Sequence, residues 1–327
     1  MDNSPAAGIR LNTKSILLVT AISAAYLLLS ALLIGYKGDQ LFLVLLFNIL
    51  FYLSGPTRRF IVGFSVFIVF WILFDSMKAF PNYRFNTVHI ESIYRAEQRL
   101  FGIHGNGINT ANDRLNADPG AVVTPNEFWR SHTNSLLDIL AGLFYLCWMP
   151  LPLAFAGYLF YTNKETFLRF SLSFLLVNLL GFVIYYSYPA APPWYVQYYG
   201  FQFHAHTPGN TAGLARFDQL VNAPIFASIY AKSSNVFAAM PSLHAAYPMI
   251  VLYYGIRSRL GLINILFATI MAGIWFAAVY SSHHYVLDVL AGIACGLVGI
   301  SLFNYLYGTV GWFRAFIWAY AEKISAP

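Results

Sequence analysis

Residues 240–256 read Met240-Pro241-Ser242-Leu243-His244-Ala245-Ala246-Tyr247-Pro248-Met249-Ile250-Val251-Leu252-Tyr253-Tyr254-Gly255-Ile256, a histidine at the edge of a long apolar run. A second such edge is His283-His284-Tyr285-Val286-Leu287-Asp288, which opens the run 286–307. Ionisable groups at the ends of membrane helices are costly unless they pair, line a cavity or work. Apolar runs recur along the chain, and they decide the class. The 327 residues are 58% hydrophobic and 10% charged, against about 25% charged in a soluble domain. The expectation is an all-α, polytopic helical membrane protein with about eight transmembrane helices.

The spans fall at roughly 15–36, 41–55, 59–75, 135–161, 166–187, 241–256, 262–280 and 286–307. Ser54-Gly55-Pro56 predicts a tight hairpin between the second and third, and Pro150 and Pro152 predict a kink in the fourth. The expected organisation is 1–75, N-terminal transmembrane helices; 76–134, an extracytoplasmic interfacial segment; 135–308, a catalytic transmembrane core with an extracytoplasmic loop 188–240; and 309–327, a cytoplasmic C-terminal tail. Within 88–102, Ile90, Ile93, Tyr94, Glu97, Leu100 and Phe101 recur at helical spacing, the pattern of an amphipathic helix lying at the interface. Residues 311–323 read as a second one. No cleavable signal peptide is expected, because the first run is long enough to span and lacks a small-residue cleavage site. Cys147 and Cys295 both lie inside apolar runs, which argues against a disulfide framework or a cysteine metal site.

The formal charge of +6 reads as positive-inside loops rather than as a nucleic-acid signal. Arg10, Lys14, Arg58, Arg59, Lys164, Arg169, Arg257, Arg259, Arg314 and Lys323 fall on one side, which is then cytoplasmic. All 8 histidines fall on the other: His89, His104, His132, His204, His206, His244, His283 and His284. The active site is therefore expected on the non-cytoplasmic face, periplasmic or lumenal.

A crossing takes about 20 helical residues, so the chain from His244 to His284 is one round trip and returns both motifs to one face. His284 and Asp288, four apart on a helix, can touch. A carboxylate bonded to one ring nitrogen fixes the tautomer and leaves the other nitrogen as a directed nucleophile. His244 then serves as general acid to the leaving oxygen. Plainer readings stand beside this one: interfacial or capping histidines, a surface His–Asp pair, or a metal cluster drawn from His204, His206, His244, His283, His284 and Asp288. Their spacing matches no zinc motif, and neither metal nor cofactor is expected.

Pro241-Ser242-Leu243-His244, followed by His284-Tyr285-Val286-Leu287-Asp288, resembles the second and third motifs of the type-2 phosphatidic acid phosphatase superfamily. Tyr188-Pro189-Ala190-Ala191-Pro192-Pro193-Trp194-Tyr195 and Ala212-Gly213-Leu214-Ala215-Arg216 resemble stretches of its inositol phosphorylceramide synthase branch, fungal type. Together these cover about a third of the chain. The resemblance implies a six-helix phosphatase-like core. It also implies transfer of phosphoinositol from phosphatidylinositol to a ceramide through a phosphohistidine, with His284, Asp288 and His244 as the catalytic set.

Two departures matter. No Arg-Pro occurs anywhere in the chain, and Ala278 stands where the superfamily has an arginine six residues before the nucleophile. Those basic groups normally hold the phosphate, so their absence argues against a plain phosphatase and leaves the cradle open. A phosphoryl group still needs cationic partners. Arg216 is the first candidate, against a salt bridge with Asp218 as the plain reading. Lys78 is the second, against snorkelling to the interface. Asp138 binds an inositol hydroxyl or caps its helix, Ser242 and His283 are further substrate-binding candidates, and Pro193-Trp194-Tyr195 is expected to shape a pocket wall. The rival readings are a lipid phosphate hydrolase on the same histidines and a non-catalytic transporter or scaffold. Leu243, in place of the superfamily's usual glycine, makes the site more apolar and favours an alcohol acceptor over water. The partners implied are the two lipids and the bilayer, with no nucleic acid and the oligomeric state left open.

Overall fold

A computed structural model describes residues 9, 11–36, 38–104, 122–232 and 235–326. Arg10 and residues 105–121 of the first long connection lie outside that set. In chain order the helices are α1 (Thr13–Leu33), α2 (Gly38–Leu53), α3 (Gly55–Ser76), α4 (Glu91–Phe101), α5 (Pro125–Ser131), α6 (Ser135–Leu146), α7 (Pro150–Thr162) and α8 (Lys164–Ser187). There follow α9 (Pro193–Tyr199), α10 (Ala215–Val221), α11 (Ile225–Tyr230), α12 (Leu243–Arg257), α13 (Ile263–Tyr280), α14 (Val286–Thr309) and α15 (Gly311–Ser325). Among the described residues the one sheet is a two-residue ladder, Ile103–His104 against Val122–Val123. The protein is a helical, multi-pass membrane protein.

Among the described residues five helices are long and apolar enough to cross a membrane: α1, α3, α8, α13 and α14. The pair α6 and α7 makes a sixth when counted as one span, bent by 41°, with Pro150 and Pro152 at the break as expected. The other two expected spans form the shorter helices α2 and α12, of 16 and 15 residues. At about 1.5 Å per residue they reach roughly 24 and 22 Å, short of the ~30 Å hydrocarbon thickness. The tight hairpin forms: Ser54 alone joins α2 to α3, and its side chain caps α3 in a reciprocal box with Thr57.

The chain divides into two compact units. The first comprises 1–80, 155–175 and 301–327. Its interior is aromatic: Phe64 packs against Phe60, Phe67, Phe160 and Phe167, and Gly63 leaves room for the Phe160 ring. Helix α15 packs on α3, with Tyr320 Oη donating to Val62 O and Arg59 Nη1 to Ala326 O. It buries Ile317 and Ile324 and exposes Trp312, Phe316 and Trp318.

The second unit comprises 81–154 and 176–300. Helices α12 and α13 form a closely packed hairpin, with Ala245, Ala277 and Ala278 fully buried in a cluster that includes Tyr145, Leu214 and Phe217. A second cluster gathers Ile90, Ile93, Tyr94, Trp194, Tyr195, Phe237 and Tyr285. Helix α4 forms where the interfacial amphipathic helix is expected; its Ile93 and Tyr94 pack into this cluster, and its Leu100 is exposed. Extended pieces link these parts: Ala190 bridges His89 on one side and Ala238 on the other. Asn82, fully buried, donates to both Tyr185 O and Phe237 O. These bonds place residue 239.

Candidate active site

Helix α13 ends at Tyr280, and a turn of five residues carries the two histidines before α14 begins. The His283 and His284 amides both bond Ala278 O. Ser282 takes a left-handed φ of 60°, which costs a residue with a Cβ about 1–2 kcal/mol. Its carbonyl accepts from Trp194 N, and its hydroxyl from Gln197 Nε2. Asn126, at the start of α5, donates to Val279 O and His284 O and closes the turn. The Pro-Pro-Trp-Tyr stretch is therefore buried support for this turn, not the pocket wall expected of it.

His284 Nδ1 lies 3.0 Å from Ala239 O and 3.6 Å from Asp288 Oδ2. A carbonyl only accepts, so Nδ1 carries the proton and Nε2 keeps its lone pair. His284 Nε2 lies 3.0 Å from His244 Nδ1, which therefore donates to it. The expected pairing of His284 with Asp288 is thus met in position but not in hydrogen bonding. The reason is helix capping. Asp288 is the third residue of α14, and its Oδ2 accepts from Tyr285 N at 2.8 Å, the backward half of a capping box. Asp288 Oδ1 is buried without a partner, so the carboxyl group faces His284 without a direct hydrogen bond to it. Burial holds the His284 ring down at about 4, against the lift from its Ala239 bond.

Glu97 completes the cap. Fully buried on α4, it accepts from Val286 N at 2.9 Å and from Leu287 N at 3.1 Å. Burial raises its carboxyl to about 7, the two amides oppose the rise, and Asp288 adds to it. At the other end, Ser242 N donates to Asp288 O at 2.9 Å. Gly292 allows this approach, since a Cβ there would lie 2.0 Å from Ser242 O. Ser242 Oγ is buried and has no hydrogen-bond partner, beside the N-terminus of α12. The His244 ring packs against Tyr145 at 5.1 Å and edge-on to Trp148 at 4.8 Å.

Arg216 bonds Asp138, not Asp218: Arg216 Nε to Asp138 Oδ1 is 2.6 Å. Asp218 instead accepts from Phe226 N and Ala227 N at the start of α11. Asp138 also accepts from Tyr280 Oη at 2.9 Å, and α6 is capped by Asn134, so Asp138 anchors Arg216 rather than capping its helix. Arg216 Nη2 is buried without a partner. Gly213 brings this stretch against the catalytic turn, with its N–H on Ser281 O and room for a Cβ denied by Ser281 Cα at 2.8 Å. His283 Nε2 donates to Thr211 O at 2.9 Å, and its ring stacks on Tyr230 at 4.4 Å. Burial holds it down at about 3, so it ties the 211–216 segment to the turn. Lys78 belongs to the first unit, where its ammonium pairs with Asp75. His204 and His206 are exposed. Among the described residues no group of three or more His, Cys, Asp or Glu side chains converges as a metal site.

Glu97, Ala239, Tyr145 and Trp148 are absent from the sequence-based set. Only Glu97 leaves a sequence signal: an acid on the apolar stripe of α4 among Ile90, Ile93 and Tyr94.

Residues 114–302 match the family model described as the PAP2 superfamily. The chain belongs to that superfamily. It is similar to the phosphoinositol dihydroceramide synthase of Bacteroides thetaiotaomicron, 44% identical over 315 residues, 95% of this chain and 99% of that protein. It is also similar to the inositol phosphorylceramide synthase of Candida albicans, 31% identical over 180 residues, 54% of this chain and 38% of that one. The catalytic subunit of the Saccharomyces cerevisiae inositol phosphorylceramide synthase is 29% identical over 262 residues, 76% of this chain and 59% of that one. The chain thus spans less than two thirds of either fungal relative. No solved structure matches it. Within this superfamily the departure at Ala278 has a local cause. The residue is fully buried with Ala245 and Ala277 in the α12–α13 packing, where an arginine has no room.

Proposed function

We propose that this chain transfers phosphoinositol from phosphatidylinositol to the primary hydroxyl of a dihydroceramide or ceramide, at the non-cytoplasmic face of its membrane. That it is a phosphotransferase of sphingolipid synthesis follows from its family and its synthase relatives. The observation that carries the mechanism is the 3.0 Å contact between His244 Nδ1 and His284 Nε2, with the His284 proton committed to Ala239 O.

His284 Nε2 attacks the donor phosphorus, and the phosphorus–oxygen bond to diacylglycerol breaks. The anionic donor favours a doubly protonated His244, which gives a proton to the leaving oxygen. The phosphoinositol then sits on His284 Nε2 as a phosphoimidazolium, with the Asp288 charge as its counterpart. The ceramide hydroxyl next gives its proton to the now neutral His244 and attacks phosphorus. The phosphorus–nitrogen bond breaks and the site is restored, with no cofactor required. Arg216, with Nη2 open and Nε anchored on Asp138, is the cation assigned to the donor head group. Ser242 Oγ, open beside the α12 N-terminus, is a further donor to phosphate oxygens.

The test is reconstitution in proteoliposomes with labelled phosphatidylinositol, with and without ceramide, read by mass spectrometry. The expected result is phosphoinositol ceramide and diacylglycerol in equal amounts, formed only when ceramide is present and lost in His284→Ala. Phosphoinositol released to water without a ceramide product would establish the hydrolase instead.

A further inference from the structure

In hydrocarbon, a backbone group freed by a helix break is satisfied by protein, by water or by a ligand. Around the break between α6 and α7, Phe144 O accepts from Cys147 N, Tyr145 O from Trp148 N, Cys147 O from Leu151 N and Met149 O from Leu153 N. Leu143 O takes the Cys147 thiol at 3.4 Å. Among the described residues nothing donates to Leu146 O or Trp148 O. Four residues beyond them stand Pro150 and Pro152, which have no N–H to give. Trp148 is half-buried, and its ring is the one set edge-on to His244. One turn earlier, the buried Tyr145 hydroxyl lies beside Tyr230, and its ring also packs on His244.

Building on the transfer reaction above, we propose that this break is the acceptor subsite, with Trp148 O receiving the amide N–H of the ceramide. In a ceramide the amide nitrogen is on the carbon next to the one bearing the reacting hydroxyl. An acceptor for its N–H must therefore stand near the base that takes the hydroxyl proton, and Trp148 is the residue whose ring lies on that base. Diacylglycerol, the product that the acceptor replaces, carries an ester oxygen at the same place and has no proton to donate. The open carbonyl thus distinguishes an amide lipid from an ester lipid of nearly the same shape.

The experiment compares ceramide with its isosteric ester, in which oxygen replaces the amide N–H, as acceptors for full-length protein in proteoliposomes supplied with phosphatidylinositol. In the wild type, kcat/KM is expected to favour the amide by about tenfold, the size of one hydrogen bond to a carbonyl that otherwise receives none. Pro152→Ala returns an N–H to Trp148 O, and the preference should fall toward one through a raised KM for ceramide. Equal use of amide and ester by the wild type overturns the proposal, as does a Pro152→Ala variant that keeps the tenfold preference. If Pro152→Ala has no activity, the wild-type amide-to-ester ratio alone decides. A protein that transfers to neither acceptor refutes the parent reaction instead, so the two failures are distinct.

Discussion

His284 holds Nδ1 3.0 Å from the carbonyl oxygen of Ala239. The tautomer of the proposed nucleophile is therefore set by backbone, and the neighbouring Asp288 is assigned the negative charge opposite the proposed phosphoimidazolium. Asp288→Asn keeps an acceptor for Tyr285 N but removes that charge. Its kcat is expected to fall about 10²-fold, the usual effect of losing one electrostatic stabiliser, while His284→Ala loses all measurable transfer. Steady-state kinetics of the two variants decide the matter. A loss in Asp288→Asn as deep as in His284→Ala would mean that the carboxylate, not Ala239, fixes the ring.

The pH profile follows from the burial of His284, which holds its conjugate acid at about 4 rather than the ordinary 6.5. The nucleophile stays neutral through mildly acidic solution, so the acid limb of kcat/KM is expected nearer pH 4 than pH 6.5. Stability moves in step. The unfolded chain takes up this proton through pH 6.5 and the folded one does not, so the contribution is full above 6.5 and is lost as pH falls toward 4. An acid limb centred at 6.5 in initial-rate measurements would contradict the buried geometry.

Glu97→Gln keeps one carbonyl acceptor for the two amides at the start of α14 and leaves the other amide unpaired in a buried site. A loss of about 1–3 kcal/mol is expected, visible as a lower melting temperature. The pH dependence has a defined sign. Glu97 is raised to about 7 from an ordinary 4.5, so the folded chain binds its proton first as pH falls. Wild type should therefore gain stability relative to Glu97→Gln as pH drops from about 7 to 4.5, with no further change below. Melting curves of both proteins across that range test this.

Arg216→Gln removes the cation assigned to the donor head group. The expected effect is a KM for phosphatidylinositol raised by about tenfold or more, the scale of a lost charge-assisted hydrogen bond. The KM for ceramide should not move. Arg216→Lys, which cannot reproduce both the Asp138 bond and a second directed donor, should recover only part. Unchanged donor kinetics would show that Arg216 merely braces Asp138.

Helical periodicity and apolar run length made the fold readable, because each expected span was long enough to leave a pattern. At α2 and α12 the helices form close to the expected bounds, 41–55 and 241–256, and are short, 16 and 15 residues. The contact of His244 with His284 was legible because a round trip through a membrane has a nearly fixed length. The Ala239 carbonyl was not, since a backbone acceptor leaves no mark in composition and depends on the bridges of Ala190 to His89 and Ala238. Arg216 was singled out, and the plain reading beside phosphate binding paired it with the nearest acid in sequence, Asp218. The true partner, Asp138, lies far off in the chain and is joined to it only by tertiary packing.

The carboxylate of Glu97 lies upstream of the stretch that matches the superfamily, residues 114–302, yet it belongs to the same compact unit as the histidines. A fragment trimmed to the matched stretch would start its catalytic helix with two bare amides. Any truncation or exchange that removes the residues before 114 therefore removes this cap with them.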